Sequence, residues 1–406
     1  MGDNLESVPS VFAPVSKSEF HRALIMAALT QSDCKIFGYS NCADVKETIG
    51  ALTALGVKIS KIDGGLAVDG SEIKKNQTVK LNISESASTL RFLLPVLGAL
   101  GLSGKIFVGK RLYVRFNDDD VKFYDDVGLN VKKENGHIAF CGKLFGGCYA
   151  VSAAATSQNL SGLIMALPAV PDKSTLYING AVSRGYALMT LEMLEKFGVK
   201  HTADNLSIEL FGKYKGTNVS VSGDYSAAAN FALFGTLKNS LNILGLAEDS
   251  AQPDKAFLKI LNNSGGKAYF DGGTLCVRKA ETLHGFCADL TDTPDVFPVC
   301  AVLAAFSTGE SVLIGTNRLK NKESNRLAAI EKNLSLMGIN FVSGDNRLQI
   351  FGGNPKPFVP DSFLDHRIAM AFSVAAAALS VKPIYDACVA KSYPNFFEEL
   401  KRIWQN

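Results

Sequence analysis

The most chemically suggestive stretch of this chain runs from Ser16 through Lys17 and Ser18 to Arg22. It is a short polar loop entering a segment that reads as a helix with almost no charge after Arg22. Two hydroxyls and two cations therefore stand at or near a first turn, where unpaired backbone N–H groups and the positive end of the helix dipole also point. That combination suits a phosphate or a carboxylate. A serine N-cap beside two solvated cations accounts for the same residues, and recurrence separates the two readings. Ser86-Ala87-Ser88-Thr89…Arg91, Thr156-Ser157-Gln158, Gly223-Asp224, Asp292-Thr293-Pro294-Asp295 and Asp365-His366-Arg367 each precede another small-residue apolar segment. A fold needs one capping residue at such a place. Most of these sites carry two or three polar groups, and helix starts of this kind converging on one cleft between domains would hold anions.

The elements that must position them form two alternating series. One is all-apolar: RALIMAAL, LRFLLPVLGAL, LSGLIMALP, SAAANFALFGTL, VFPVCAVLAAF and IAMAFSVAAAAL. The other is amphipathic and ends at Gly56, Gly128, Gly198, Gly265-Gly266 or Gly338 before a short strand, the glycine being the expected C-cap. Each series recurs about every 70 residues, with FFEELKRIWQN as the second helix of a last copy. The predicted unit is strand, buried helix, strand, amphipathic helix, paired strands. Six such units divide three and three near Gly223. The fold class expected is α/β (α+β by some schemes): one domain of residues 16–223 and a second, discontinuous domain of residues 1–15 with 224–406. Helices apolar all round must be buried on every side.

Composition bounds the partners. A net charge of +3 over 406 residues, 20% of them charged, excludes nucleic-acid binding by bulk electrostatics, so any anion must meet local Lys and Arg. Eight cysteines without C-x-x-C spacing argue against a zinc or redox motif and fit reduced thiols in the cytoplasm. The polar MGDNLESVPS start is no signal region, and the apolar helices are too short for a bilayer. A cytoplasmic protein without membrane or nucleic-acid partners is expected, and a monomer.

SKS…R, ESASTLRF, TSQ, KESNR, DHR and AKSYPNFFEEL occur in that order along nearly the whole chain. Together they resemble the 5-enolpyruvylshikimate-3-phosphate synthase family of enolpyruvyl transferases. The resemblance implies two domains of three βαβαββ repeats, of the inside-out α/β barrel type, closing over their substrates. It implies transfer of the enolpyruvyl group of phosphoenolpyruvate to the 5-hydroxyl of shikimate 3-phosphate by addition and elimination, with release of phosphate and no metal or organic cofactor. By the same resemblance Lys17, Ser18 and Arg22 meet the shikimate end, and Thr156, Ser157 and Gln158 its phosphate, with Ser183 and Tyr186 nearby. Phosphoenolpyruvate falls to Lys17, Ala87, Arg115, Gln158, Arg326, Arg367 and Lys391, with Lys322 between the two substrates. Asp295 is the expected base on the hydroxyl, and Glu323 with Lys17 or Lys322 the proton donors.

Some positions depart from the family pattern. Ala87 stands where a glycine is usual, which narrows the phosphoenolpyruvate pocket and implies reduced sensitivity to the longer inhibitor glyphosate. Arg318-Leu319 replaces Asn-Trp, Asn325 an Asp, Phe116 a Pro and Gly185 a Pro. The sister transferase acting on UDP-N-acetylglucosamine usually has Lys-Asn at Lys17-Ser18 and a Cys or Asp where this chain reads GKRLYVR. A non-catalytic scaffold for phosphorylated metabolites would need the charged helix starts, but not both Asp295 and Glu323.

Overall fold

The computed structural model describes residues 8–152, 156–179, 184–204 and 206–405. The chain separates into two compact units, Val15–Val221 and Ser222–Asn406 with Met1–Pro14. Each has its own apolar core, one built around Phe20, Leu93 and Leu163, the other around Phe231, Phe297 and Phe372.

In the Val15–Val221 unit the helices are α1 (Lys17–Leu29), α2 (Ala43–Ala54), α3 (Ala87–Ala99), α4 (Lys110–Arg115), α5 (Asp118–Asp126), α6 (Ser157–Ala166) and α7 (Arg184–Lys196). The apolar runs are the buried ones, as their lack of a polar stripe requires. Every residue of α1 from Glu19 onward is buried, as is every residue of α6 except Gln158. Each fully buried Leu on them contributes up to about 2 kcal/mol. Helices α3 and α6 pack backbone to backbone at Gly162, where a β-carbon would stand 2.5 Å from the Arg91 carbonyl oxygen.

Three four-stranded sheets cover this core. One orders Thr78–Ile83, Ser103–Val108, His137–Cys141 and Asn130–Glu134, the first pair parallel and the others antiparallel. A parallel pair needs a crossover, and α3 supplies it. The sheet of Gly147–Ser152, Ser174–Asn179, Ser207–Phe211 and Lys200–Ala203 repeats the pattern through α6. In the third, Asp33–Phe37 is followed by Gly65–Asp69 and Lys58–Ile62, but its parallel first strand is Asn218–Ser220 from the far end of the unit.

The other unit contains α8 (Tyr225–Leu237), α9 (Ala256–Asn263), α10 (Phe297–Phe306), α11 (Arg326–Leu336), α12 (His366–Ala378) and α13 (Phe396–Gln405). Of these α8, α10 and α12 are the buried ones. Its sheets are Ser10–Phe12, Leu241–Leu244, Thr274–Arg278, Lys267–Asp271 and Cys287–Asp289, Gly309–Ile314, Arg347–Gly352, Asn340–Gly344. The chain thus lays its first strand here, leaves after Pro14 and returns at Ser222.

The glycines after α2, α5, α7, α9 and α11 (Gly56, Gly128, Gly198, Gly265, Gly338) all have φ between +71° and +97°, the left-handed cap that the sequence implies. The last repeat differs from expectation. Among the described residues no strand lies between Gly352 and α12 or between α12 and α13. Pro355, Pro357 and Pro360 before it and Pro383 after it remove the N–H donors a ladder needs.

Candidate active site

Two polar constellations gather the residues singled out in the sequence, one in each unit. In the Val15–Val221 unit Ser16 caps α1, its Oγ accepting the Glu19 N–H at 3.3 Å. Lys17 Nζ donates to Asp44 Oδ2 at 3.0 Å, both groups being largely buried. Arg22 runs inward instead. Its Nε donates to Thr190 Oγ1 (2.7 Å) and its terminal nitrogens to the carbonyls of Ser18 (2.8 Å) and Tyr186 (3.4 Å) and to Ser161 Oγ (3.0 Å). The guanidinium lies 4.8 Å over the Phe92 ring, and burial pushes it down to about 10, so it stays charged at neutral pH. It fixes the start of α7 to the start of α1.

Ser86 caps α3, of which Ala87 is the first residue. The Ser88 hydroxyl accepts from Gln158 Nε2 at 2.9 Å, and Gln158 Oε1 accepts from Arg91 at 3.0 Å, so Gln158 is held between two residues of α3. Arg91 also makes a two-pronged pair with Asp120 (2.9 and 2.7 Å) and donates to the Arg115 carbonyl at 3.0 Å. Asp120 in turn accepts from Asn159, which accepts from the Tyr124 hydroxyl. Gln158 and the Arg115 backbone are therefore held by one buried arginine on α3, the helix that Ala87 begins. Thr156 caps α6 by accepting the Gln158 N–H, with Ser157 buried beside it. Ser183 lies outside the described residues.

In the other unit the hub is Arg326, first residue of α11 and 1% exposed. It donates to three carboxylates: Asp365 (3.0 and 3.3 Å), Asp295 (2.9 Å) and Glu323 (2.9 Å), and to the Pro294 carbonyl (3.3 Å). Desolvation alone would lower it, but Asp365, Asp295 and Glu323 outweigh burial and hold it firmly protonated. Asp295 receives a second donor from Arg367 at 3.2 Å, and Lys391 Nζ stands 3.9 Å from Glu323. Asp365 caps α12. Asp295 does not cap α10: the N-cap is Val296, without a side-chain bond, and Pro298 in the first turn has no N–H to satisfy. Its carboxylate is left to the arginines.

The electrostatics follow from this packing. Desolvation raises Asp295, but Arg367, Arg326 and Lys322 prevail and keep it well below the usual carboxylate range. Burial pushes Lys322 down to about 8, close enough to neutrality for proton exchange. Asp254, buried and facing Asp295, rises to about 6 and accepts the Ser226 hydroxyl. Half-buried Arg318 is lowered by burial and faces Asp292. An ionised carboxylate, a lysine poised near neutrality and a set of arginines can bind anions and move a proton between them.

Asp44, Glu47, Asp120 and Asp254 carry much of this arrangement without having been singled out in the sequence. Glu47 accepts the Glu85 and Ser86 N–H groups at 3.0–3.2 Å. The legible signal was Asp44 and Thr48, four residues apart on the stripe of α2 that is otherwise apolar.

Comparison with known proteins gives one consistent picture. The family model described as EPSP synthase (3-phosphoshikimate 1-carboxyvinyltransferase) matches residues 6–400. A 3-phosphoshikimate 1-carboxyvinyltransferase of Thermococcus kodakarensis is 34% identical, the match covering 96% of each chain. One from Clostridium perfringens is 33% identical over 97% of this chain and 95% of its own. Among solved structures, EPSP synthase from Acinetobacter baumannii superposes with a TM-score of 0.77 at 23% identity, covering 98% of this chain and 97% of its own. The enolpyruvyl transferase NikO from Streptomyces tendae does so with 0.75 at 15% identity, covering 97% and 94%.

Proposed function

The chain belongs to the EPSP synthase family, and we infer that it transfers the enolpyruvyl group of phosphoenolpyruvate to the 5-hydroxyl of shikimate 3-phosphate, releasing phosphate, in aromatic amino acid biosynthesis. Its units of repeated βαβαββ elements are the inside-out α/β fold of that family. The observation that carries the chemistry is Asp295, ionised, half-buried and flanked by Arg326, Arg367 and Lys322.

The assignments of residues are our reading. Lys17 and Ser18 take the shikimate end, with Arg22 holding Ser18 and Tyr186 in place there. Thr156, Ser157 and Gln158 take the shikimate phosphate, and Ser183 is assigned with them by resemblance. Phosphoenolpyruvate falls to Lys17, Arg115, Gln158, Arg326, Arg367 and Lys391 beside Ala87, with Lys322 meeting both substrates. Asp295 accepts the 5-hydroxyl proton as that oxygen bonds to C2 of phosphoenolpyruvate. The methylene carbon takes a proton from Glu323, Lys17 or Lys322, giving a tetrahedral adduct. Loss of a methyl proton to the group that supplied it then re-forms the double bond as the bond between C2 and the phosphate oxygen breaks. Arginine drawn towards the substrate anions leaves Asp295 less stabilised and hence a better base.

The experiment is phosphate release from phosphoenolpyruvate with shikimate 3-phosphate, run beside phosphoenolpyruvate with UDP-N-acetylglucosamine. Release with the first acceptor alone is expected. Release only with the second moves the chain to the sister activity, and none with either leaves a binding scaffold. We further propose a cytoplasmic monomer. Eight free cysteines support the compartment, and among the described residues no helix is long and apolar enough to cross a membrane. Size-exclusion chromatography tests the monomer.

A further inference from the structure

Beneath the starts of α1 and α3 lies a chain of side chains that no step above uses. His21 Nδ1 is 2.7 Å from Thr48 Oγ1, which is 2.7 Å from Thr89 Oγ1, which is 2.7 Å from Ser86 Oγ. All four residues are 0% exposed. They come from α1, α2, α3 and the cap of α3, so the chain ties three elements together. His21 Nε2 has no hydrogen-bond partner among the described residues. Its ring meets Phe92 edge-on at 6.3 Å.

The proton order follows. Each hydroxyl has one proton to donate. Were Nδ1 the acceptor, Nε2 would carry a buried N–H with nowhere to go, the costlier kind of orphan. Nδ1–H therefore donates to Thr48, Thr48 to Thr89, and Thr89 to Ser86, whose oxygen also accepts the Thr89 backbone N–H at 3.3 Å. Burial pushes the imidazole down to about 3, so it is neutral and the direction is fixed at working pH. Ser86 is thereby locked as the cap of α3, whose next residues are Ala87 and Ser88, the partner of Gln158. Asp44 and Glu47, on the same helix as Thr48, hold Lys17 and the Ser86 backbone.

We propose that the buried chain His21–Thr48–Thr89 is a positioning relay that sets the α3 start, with Ala87 and Gln158, against the α1 start that carries Lys17. None of the three touches a reacting atom, so they act on ground-state binding of phosphoenolpyruvate through these groups. This rests on the function proposed above.

The test compares His21→Asn, His21→Gln and Thr48→Val. An Asn amide nitrogen takes the place of Nδ1, a Gln one that of Nε2, and Val deletes the hydroxyl at constant shape. With folding checked by thermal melts, Thr48→Val and His21→Gln should raise KM for phosphoenolpyruvate roughly fivefold, the scale of one buried hydrogen bond, with kcat within about twofold. His21→Asn should stay near wild type. KM unchanged in folded Thr48→Val, or Gln rescuing better than the smaller Asn, overturns the relay. A second readout needs no turnover: in 15N-histidine NMR of the whole chain, with five histidines, His21 should be the neutral Nδ1–H tautomer. An Nε2–H tautomer or an imidazolium overturns it. If the wild type releases no phosphate, the proposed function fails while the tautomer still decides the relay.

Discussion

Lys17 and Arg22 are five residues apart, which on an α-helix places them about 140° apart around the axis and roughly 7.5 Å along it. They cannot both face a ligand at the first turn in the same way, and only Lys17 stays at the rim while Arg22 braces α6 and α7 from inside. The SKS…R spacing was readable, but the direction of a long side chain was not, because nothing local names Thr190 or Ser161 as its partners. Ala87 is the residue where substitution should be most telling. As the first residue of α3, 4% exposed, its methyl takes space a glycine would leave. Ala87→Gly should lower the glyphosate inhibition constant measured against phosphoenolpyruvate, and a low micromolar constant in the unmodified enzyme would contradict the premise. Lys322 offers a pH prediction. Its ammonium loses charge as pH rises through about 8 in the free enzyme, so kcat/KM should fall above that value. Lys322→Arg, which cannot deprotonate, should lose that limb. A limb that stays in place would assign it to another group.

Buried helices and amphipathic helices with glycine caps were legible because each declares itself locally, by the lack of a polar stripe or by a residue that tolerates positive φ. Element α2 was legible only as a helix. Asp44 and Thr48 lie on its buried stripe, and polar residues there look like defects in the pattern until α1 and α3 supply their partners. The same holds for Asp120, which caps α5 in a capping box with Asn117 while also holding Arg91. At this scale the close approach of α3 and α6 makes its own prediction. A β-carbon at Gly162 would meet α3 backbone at 2.5 and 3.0 Å, and backbone cannot swing away as a side chain can. Gly162→Ala should therefore cost about 1–3 kcal/mol in urea unfolding and weaken phosphoenolpyruvate binding through Gln158. An unchanged midpoint would mean the helices separate freely.

For the whole chain, the sixfold repeat and the membership of residues 1–15 in the second unit were legible in the sequence, but the strands that the first and last segments pair with were not, since partners so far apart along the chain leave no local trace. Ser10–Phe12 completes the sheet of Leu241–Leu244, and Asn218–Ser220 completes that of Asp33–Phe37. Arg402 and Tyr393 donate to the Ser10 and Phe12 carbonyls, fastening the first strand to the last helical turns of its unit. Each unit is thus closed by a segment from beyond its own run of repeats, with Val11 and Val219 seated in separate cores. A charge introduced at either position has no partner in an apolar setting, a penalty of several kcal/mol. Val11→Asp should strip hydrogen-exchange protection from the Leu241–Leu244 amides and leave Asp33–Phe37 protected, and Val219→Asp should do the reverse. Cooperative units defined by their own cores open separately. Equal loss in both sheets from either substitution would show that the two cores unfold as one.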